Sequence, residues 1–172
     1  EKAENKRQRQ DDCTKDEDIL RRRFLPIDFD AVRPAGISST KEEHSAAILK
    51  ATECRQWLIG RGWPAPILAD SGNGGHLLFR VDLPNDEAST RLLKDMLKVL
   101  GDELDDEHVV VDPSTFNASR VWKLYGTLVC KGDPMPDRLH RVVNIIEAPA
   151  VRLQVFPAEL LPDLAMSRWS SF

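Results

Sequence analysis

Phe24-Leu25-Pro26-Ile27-Asp28-Phe29-Asp30 is the stretch on which the fold reading turns. It reads as a β-strand, with Pro26 making its first half irregular. Alternate strand residues point to the same face, so the Asp28 and Asp30 carboxylates project together. Two like charges side by side repel unless a cation or protons intervene. Hard oxygen ligands of this type favour Mg²⁺ or Mn²⁺. A lone Asp-x-Asp pair is more often a solvent-facing strand end, so the pair must be weighed with the rest of the chain.

Downstream lies a turn-rich stretch, Arg33 to Thr40. Thr40 with Glu43 forms a capping-box pattern, which predicts a helix running to about Ile59. Ala47, Ile48, Ala51, Cys54 and Leu58 follow helical spacing along it, and Gly60 and Gly62 are stop signals. Pro66 to Asp70 and His76 to Asp82 read as strands around a glycine-rich turn, Ser71 to Gly75. Asp86 to Leu104 is predicted as a second helix, with Leu92, Leu93, Met96, Leu97, Leu100 and Leu104 on one stripe. His108 to Asp112 is a short valine strand.

The order strand, helix, strand, strand, helix, strand is that of a ferredoxin-like or RRM-like βαββαβ core. The expected class is therefore α+β, with an antiparallel sheet and both helices on one face. Further strands are expected at Leu124 to Cys130 and Arg138 to Glu147, and a closing helix at Pro157 to Met166. Residues 1–15 read as a charged lead-in, 16–166 as one domain and 167–172 as a polar tail or the start of a linker. The opening on Glu1 rather than Met points to a piece of a longer protein, and no internal repeat is visible.

At 172 residues the chain fits one domain. Its 41% hydrophobic and 30% charged content are those of a soluble globular protein. No apolar run approaches the ~20 residues of a membrane span, and the polar start carries no secretory signal. Cys13, Cys54 and Cys130 are far apart and form no zinc pattern, which suits free thiols in a reducing cytoplasm. The net charge of −4 argues against a stand-alone duplex DNA binder. It leaves room for an enzyme that gathers acids for metal and holds template weakly.

Two more segments carry chemistry. In Ser71-Gly72-Asn73-Gly74-Gly75-His76, the glycines let the backbone turn tightly and approach a ligand closely. Successive N–H groups there could form an anion nest, with His76 as a donor to phosphate; the plain alternative is a glycine hairpin. Asp112 ends the apolar run Val109-Val110-Val111, where a carboxylate is costly unless paired or metal-bound. Alternatively it caps the turn begun by Pro113. Beyond it, Arg120 and Lys123 are cations to aim at a triphosphate, or simply side chains snorkelling beside Trp122.

Taken together, these segments give the chain a resemblance to the archaeo-eukaryotic primase superfamily. It looks most like the primase-polymerase domains of bacterial, phage and plasmid replication proteins. That family carries an Asp-x-Asp, a Ser-Gly-x-Gly-x-His type turn, and a hydrophobic residue followed by Asp. Here they stand in order as Asp28-Phe29-Asp30, Ser71 to His76, and Val111-Asp112, followed by Arg120 and Lys123. DEDILRRR, DFDAVRPAGISST, ADSGNGGHLLF and SRVWKLYGT strengthen the likeness, which covers roughly Lys15 to Glu147. Little chain precedes the first motif, so the family's N-terminal accessory module would be short or absent.

The resemblance implies two-metal nucleotidyl transfer with Mg²⁺ or Mn²⁺ on Asp28, Asp30 and Asp112. It implies phosphate contacts from Ser71, Gly72, Asn73, Gly74, His76, Arg120 and Lys123. The expected partners are nucleoside triphosphates, a single-stranded DNA template with primer, and a fused or associated helicase domain. Three rivals remain at this level: a gap-filling or lesion-bypass polymerase that never primes, a non-catalytic RRM-like module, and a metal-dependent phosphohydrolase. The RRM-like module would need aromatics on its sheet, for which the strands offer Phe24, Phe29 and Phe79.

Overall fold

The structure is a computed structural model that describes residues 13–150 and 153–157. The strand holding the acid pair, β1, runs over Arg21–Ala31. It is longer than expected because Arg21, Arg22 and Arg23 continue it. Leu25, Ile27, Phe29 and Ala31 alternate into the core at 0–3% exposure. Helix α1, Lys41–Gly60, starts at the expected box: Thr40 Oγ1 accepts from the Glu43 N–H, and Glu43 Oε2 accepts from the Thr40 N–H. It buries Ala47, Ala51, Cys54, Trp57 and Leu58.

Strand β2, Ile67–Asp70, leads through a three-residue turn into β3, Gly74–Pro84. Helix α2, Glu87–Leu104, is capped by Asp86, whose carboxylate accepts from the Ser89 N–H. Its leucine stripe faces inward. Strand β4, Val109–Val111, follows, and then β5, Leu128–Val129, β6, Arg141–Val142, and β7, Asn144–Glu147.

The main sheet has the order β4-β1-β3-β2-β7, every described pairing being antiparallel. α1 links β1 to β2 across β3, and α2 links β3 to β4 across β1. One apolar cluster joins the buried residues of both helices to Leu25, Ile27, Phe29, Leu77, Phe79, Val109 and Val111. Both helices therefore cover the same sheet face. Each fully buried Leu, Ile or Phe there contributes about 1.5–3 kcal/mol through removal from water. The other face carries Asp28, Asp30, His76, Leu78 and Arg80.

Several expectations change. The strand expected at Leu124 to Cys130 shrinks to β5, since Tyr125 and Gly126 lie in a turn. Arg138 to Glu147 splits in two: β6 pairs with β5 in a separate two-stranded sheet, whereas β7 crosses to β2 in the main sheet. Val143, fully buried between them, exchanges backbone bonds with Gly126 and Thr127 and marks the crossing. Phe29 and Phe79 point into the core, which leaves Phe24 alone of the three on the open face. The expected closing helix lies outside the described residues except Pro157, as do the tail and all but residues 13–15 of the lead-in.

Candidate active site on the open sheet face

Strand register assembles the site. Asp28 stands opposite His76 and Asp30 opposite Gly74 across the β1–β3 pair. On the other side of β1, Phe29 faces Val111, and the Asp112 N–H donates to the Asp28 carbonyl at 2.9 Å. Directly opposed residues of antiparallel strands share a face. Alternation buries Val109 and Val111 and turns Asp112 to the side of Asp28, Asp30 and His76. The antiparallel placement of first and fourth strands thus does bring the three acids to one face, a register the sequence left open.

The three carboxylates differ in state. Asp28 Oδ1 is buried without a hydrogen-bond partner, and His76 Nε2, 3.4 Å away, is not aligned to supply one. Asp30 is held above the usual carboxylate range, first by burial and then by the neighbouring Asp28 charge, while Arg33, Lys131 and Lys123 pull the other way. An orphaned carboxylate oxygen beside a second acid is a donor set that a hard divalent cation satisfies, so Asp28 and Asp30 fit such an ion.

Asp112 is already engaged. Its Oδ1 accepts from the Ser114 N–H at 2.8 Å and hydroxyl at 2.6 Å, capping the 3-10 turn Pro113–Phe116, and Oδ2 accepts from Arg120 at 2.7 Å. Among the described residues, no three His, Cys, Asp or Glu side chains form a ready-made metal cage.

The glycine turn differs from an open anion nest. The Ser71 N–H donates to the Gly74 carbonyl, that of Gly72 to Asp70 Oδ1 and that of Asn73 to Ser71 Oγ. Its amides are therefore spent inside the protein. Of Gly72, Gly74 and Gly75, only Gly72, at φ +82°, needs the left-handed region. Gly74 and Gly75 belong to β3 and meet protein rather than open space. A Cβ on Gly74 would sit 2.0 Å from the Phe29 carbonyl oxygen, and one on Gly75 would sit 2.6 Å from the Ala51 Cβ of α1. Ser71 and Asn73 are buried, and Asn73 Oδ1 accepts from the Ser39 N–H at 2.8 Å.

Around this turn lies a part-buried polar frame that no local sequence pattern announces. His44 Nε2 lies 2.8 Å from Asp70 Oδ1, and Arg141 donates to the Ser39 and Gly72 carbonyls. Burial pushes the Asp70 carboxyl up, but its bonds from His44 and the Gly72 N–H outweigh that and hold it below the usual range. These contacts join residues up to 102 positions apart, which no local pattern encodes.

The segment after Asp112 closes over His76. The Trp122 ring lies 4.2 Å from the imidazole, tilted 39°. The Tyr125 hydroxyl, 3.2 Å from His76 Nδ1, accepts from the Trp122 indole N–H at 3.1 Å. Held by these two contacts, the ring stands with Nε2 3.4 Å from Asp28 Oδ1. Burial, offset by the Trp122 bond, pushes the Tyr125 hydroxyl up to about 12. Lys123 donates to the Ser71 carbonyl at 2.8 Å, and burial holds its ammonium below the ordinary lysine value against the pull of Asp28 and Asp30.

Arg120, Lys123 and His76 thus gather at the acids, joined by Arg33, Lys131, Trp122 and Tyr125. Arg33 follows Asp30 by three residues, and DFDAVR carries that signal. Lys131 has no such signal.

No protein-family model, curated protein or solved structure matches this chain. Among the described residues, no helix is long and apolar enough to cross a membrane.

Proposed function

We propose that the chain is a template-directed nucleotidyl transferase of the primase-polymerase kind, built on a ferredoxin-like, RRM-like βαββαβ core. The observation that carries this reading is the register that brings Asp28, Asp30, His76 and Asp112 to one face, opposite the one covered by α1 and α2. The order β4-β1-β3-β2, with each helix spanning a strand, is compatible with that core.

In the reaction, a 3′-oxygen bonds to the α-phosphorus of a nucleoside triphosphate. The bond from that phosphorus to the α–β bridging oxygen breaks, pyrophosphate leaves, and the hydroxyl proton passes to water. Mg²⁺ or Mn²⁺ held by Asp28 and Asp30, with Asp112, would lower the pKa of the attacking hydroxyl and neutralise charge on the phosphates. Lys123, Arg33 and Lys131 set positive charge beside the acid pair, where the triphosphate would be oriented. His76, clamped by Trp122 and Tyr125, stands with its Nε2 3.4 Å from Asp28 Oδ1, among the groups that would face the phosphates.

Template and primer would be single-stranded DNA and its paired 3′ end. The non-catalytic RRM-like reading is disfavoured because Phe29 and Phe79 are buried in the core.

The test is incorporation of labelled nucleotides on a single-stranded template, with and without primer, in Mn²⁺ or Mg²⁺. Synthesis should require the metal and disappear with EDTA. Wild-type incorporation by Asp28→Ala with Asp30→Ala would refute the assignment. Products made only when primer is present would identify an extending polymerase rather than a primase.

A further inference from the structure

β5 and β6 form a hairpin with a long connecting loop, residues 130–140. Met135 and Arg138 close its far end, each backbone N–H donating to the other's carbonyl, at 3.3 and 3.0 Å. The loop lies on the chain between β1 and α1, and backbone makes part of the contact. Gly132, at φ +66°, sits so close that a Cβ on it would come 2.4 Å from the Gly36 carbonyl oxygen. Ser38, fully buried, donates its hydroxyl to the Lys131 carbonyl at 3.2 Å.

Arg138 ties down the far end. It donates to the Ser38 carbonyl at 2.8 Å and forks onto Glu43, at 2.8 Å to Oε2 and 3.0 Å to Oε1. Its side chain is 14% exposed. A two-pronged, charge-assisted contact of this kind is strong and fixes direction. Glu43 is itself held, because the same Oε2 caps α1 through the Thr40 N–H.

The seat of the loop leads to the acid pair. Arg33 donates to the Ala31 carbonyl at 2.8 Å and to the Ile37 carbonyl at 3.2 Å, and both its Nη atoms lie 3.5 Å from Asp30 Oδ1. Contacts thus run from Asp30 to Arg33, from Arg33 to Ile37, and from the next residue, Ser38, to Lys131. The Lys131 side chain is exposed, and its positive charge acts on both Asp30 and Lys123. No regular ladder spans residues 131–138, so their place depends on the ties at Ser38 and Glu43.

We propose that Arg138 is a positioning residue for the triphosphate. By pinning the far end of the loop to Glu43 and Ser38, it keeps the Lys131 ammonium beside Asp30. The role in binding rests on the transferase reading; the pin itself does not.

The pin is tested without ligand. In Arg138→Ala the far end is freed, while Arg141 still holds the base of the hairpin at the Ser39 carbonyl, 2.9 Å away. Endoproteinase Lys-C should then cut after Lys131, as identified by fragment mass, at least about tenfold faster than in the wild type. An unchanged cleavage rate at Lys131 overturns the pin.

The role is tested by equilibrium binding of deoxyadenosine triphosphate with Mn²⁺. Lys131→Ala and Arg138→Ala should each weaken it about tenfold, the size of one charge-assisted contact. Because both act through one ammonium, the double variant should be no more than about twofold weaker than Lys131→Ala alone. Arg138→Lys keeps a cation for Glu43 and should recover most of the loss. In primer extension, Arg138→Ala should raise KM and leave kcat within about twofold. Unchanged binding in either single variant, losses that multiply in the double variant, or a fall in kcat at constant KM overturns the role. A wild-type protein that binds no triphosphate with Mn²⁺ refutes the transferase reading and the role with it, while the Lys-C result still decides the pin.

Discussion

Gly75→Ala tests whether the glycines of the Ser71 to His76 segment serve packing or ligand approach. The added Cβ would lie 2.6 Å from the Ala51 Cβ and 3.0 Å from the Ala47 carbonyl oxygen. Apolar carbons rest about 3.5–4.0 Å apart, so α1 must retreat from β3 by roughly 1 Å. Ala51 is fully buried and has no rotamer to swing away. Overpacking of this size costs about 1–3 kcal/mol. Ala51→Gly removes the opposing methyl and by itself costs about 1–2 kcal/mol, from helix propensity and one lost buried methyl. In the double variant the main clash is gone and only the Ala47 contact remains. The two changes should therefore fall short of additivity by at least about 1 kcal/mol. Urea unfolding at 25 °C measures all four proteins. Wild-type stability in Gly75→Ala, or strict additivity in the double variant, would refute the packing account and return the glycine to a ligand-approach role.

Two further outcomes follow from the buried groups. Asp30→Asn, measured metal-free, should melt higher than wild type at neutral pH, because burial and Asp28 raise the Asp30 pKa. A carboxyl with a raised folded pKa destabilises above that pKa, so the gap should narrow as pH falls through it and close below the ordinary 3.8; a gap independent of pH would contradict this. Asn73→Ala strands the buried Ser39 N–H and should cost about 1–3 kcal/mol, while Asn73→Asp, which keeps an acceptor, should lose less. Equal losses in thermal melting would remove the Ser39 bond as the cause.

The parts of the fold legible in the sequence are those set by short-range chemistry. The Thr40–Glu43 box begins α1, α2 starts one residue after its expected start at Asp86, and its leucine stripe faces the core as its spacing predicts. The acid pair shares a face because strands alternate. Less legible was the length of β1, since Arg22 is buried through bonds to Phe116 and Thr90 that lie far along the chain. Arg138 to Glu147 looked like one strand because the switch between sheets occurs at Val143, an apolar residue indistinguishable from its strand neighbours. The glycine turn showed its residue types but not their duties. Only the approach of β3 to β1 and α1 reveals that Gly74 and Gly75 make room for backbone and helix. Glu43 was read as a cap, yet its carboxylate also receives Arg138, and that bond holds it below the usual range.

The segment Arg120 to Tyr125 has no regular hydrogen-bonded frame, yet four of its six side chains are fastened inward, by Asp112, His76, Ser71 and the Trp122–Tyr125 bond. Val121 and Leu124, between those anchors, stand 90% and 75% exposed. Its information is therefore held in length rather than in every letter. Replacing Val121 or Leu124 leaves each fastening in step. Inserting or deleting one residue throws every later anchor out of phase with its partner. Descendants of such a chain are free to drift at two of the six positions and are barred from gaining or losing any.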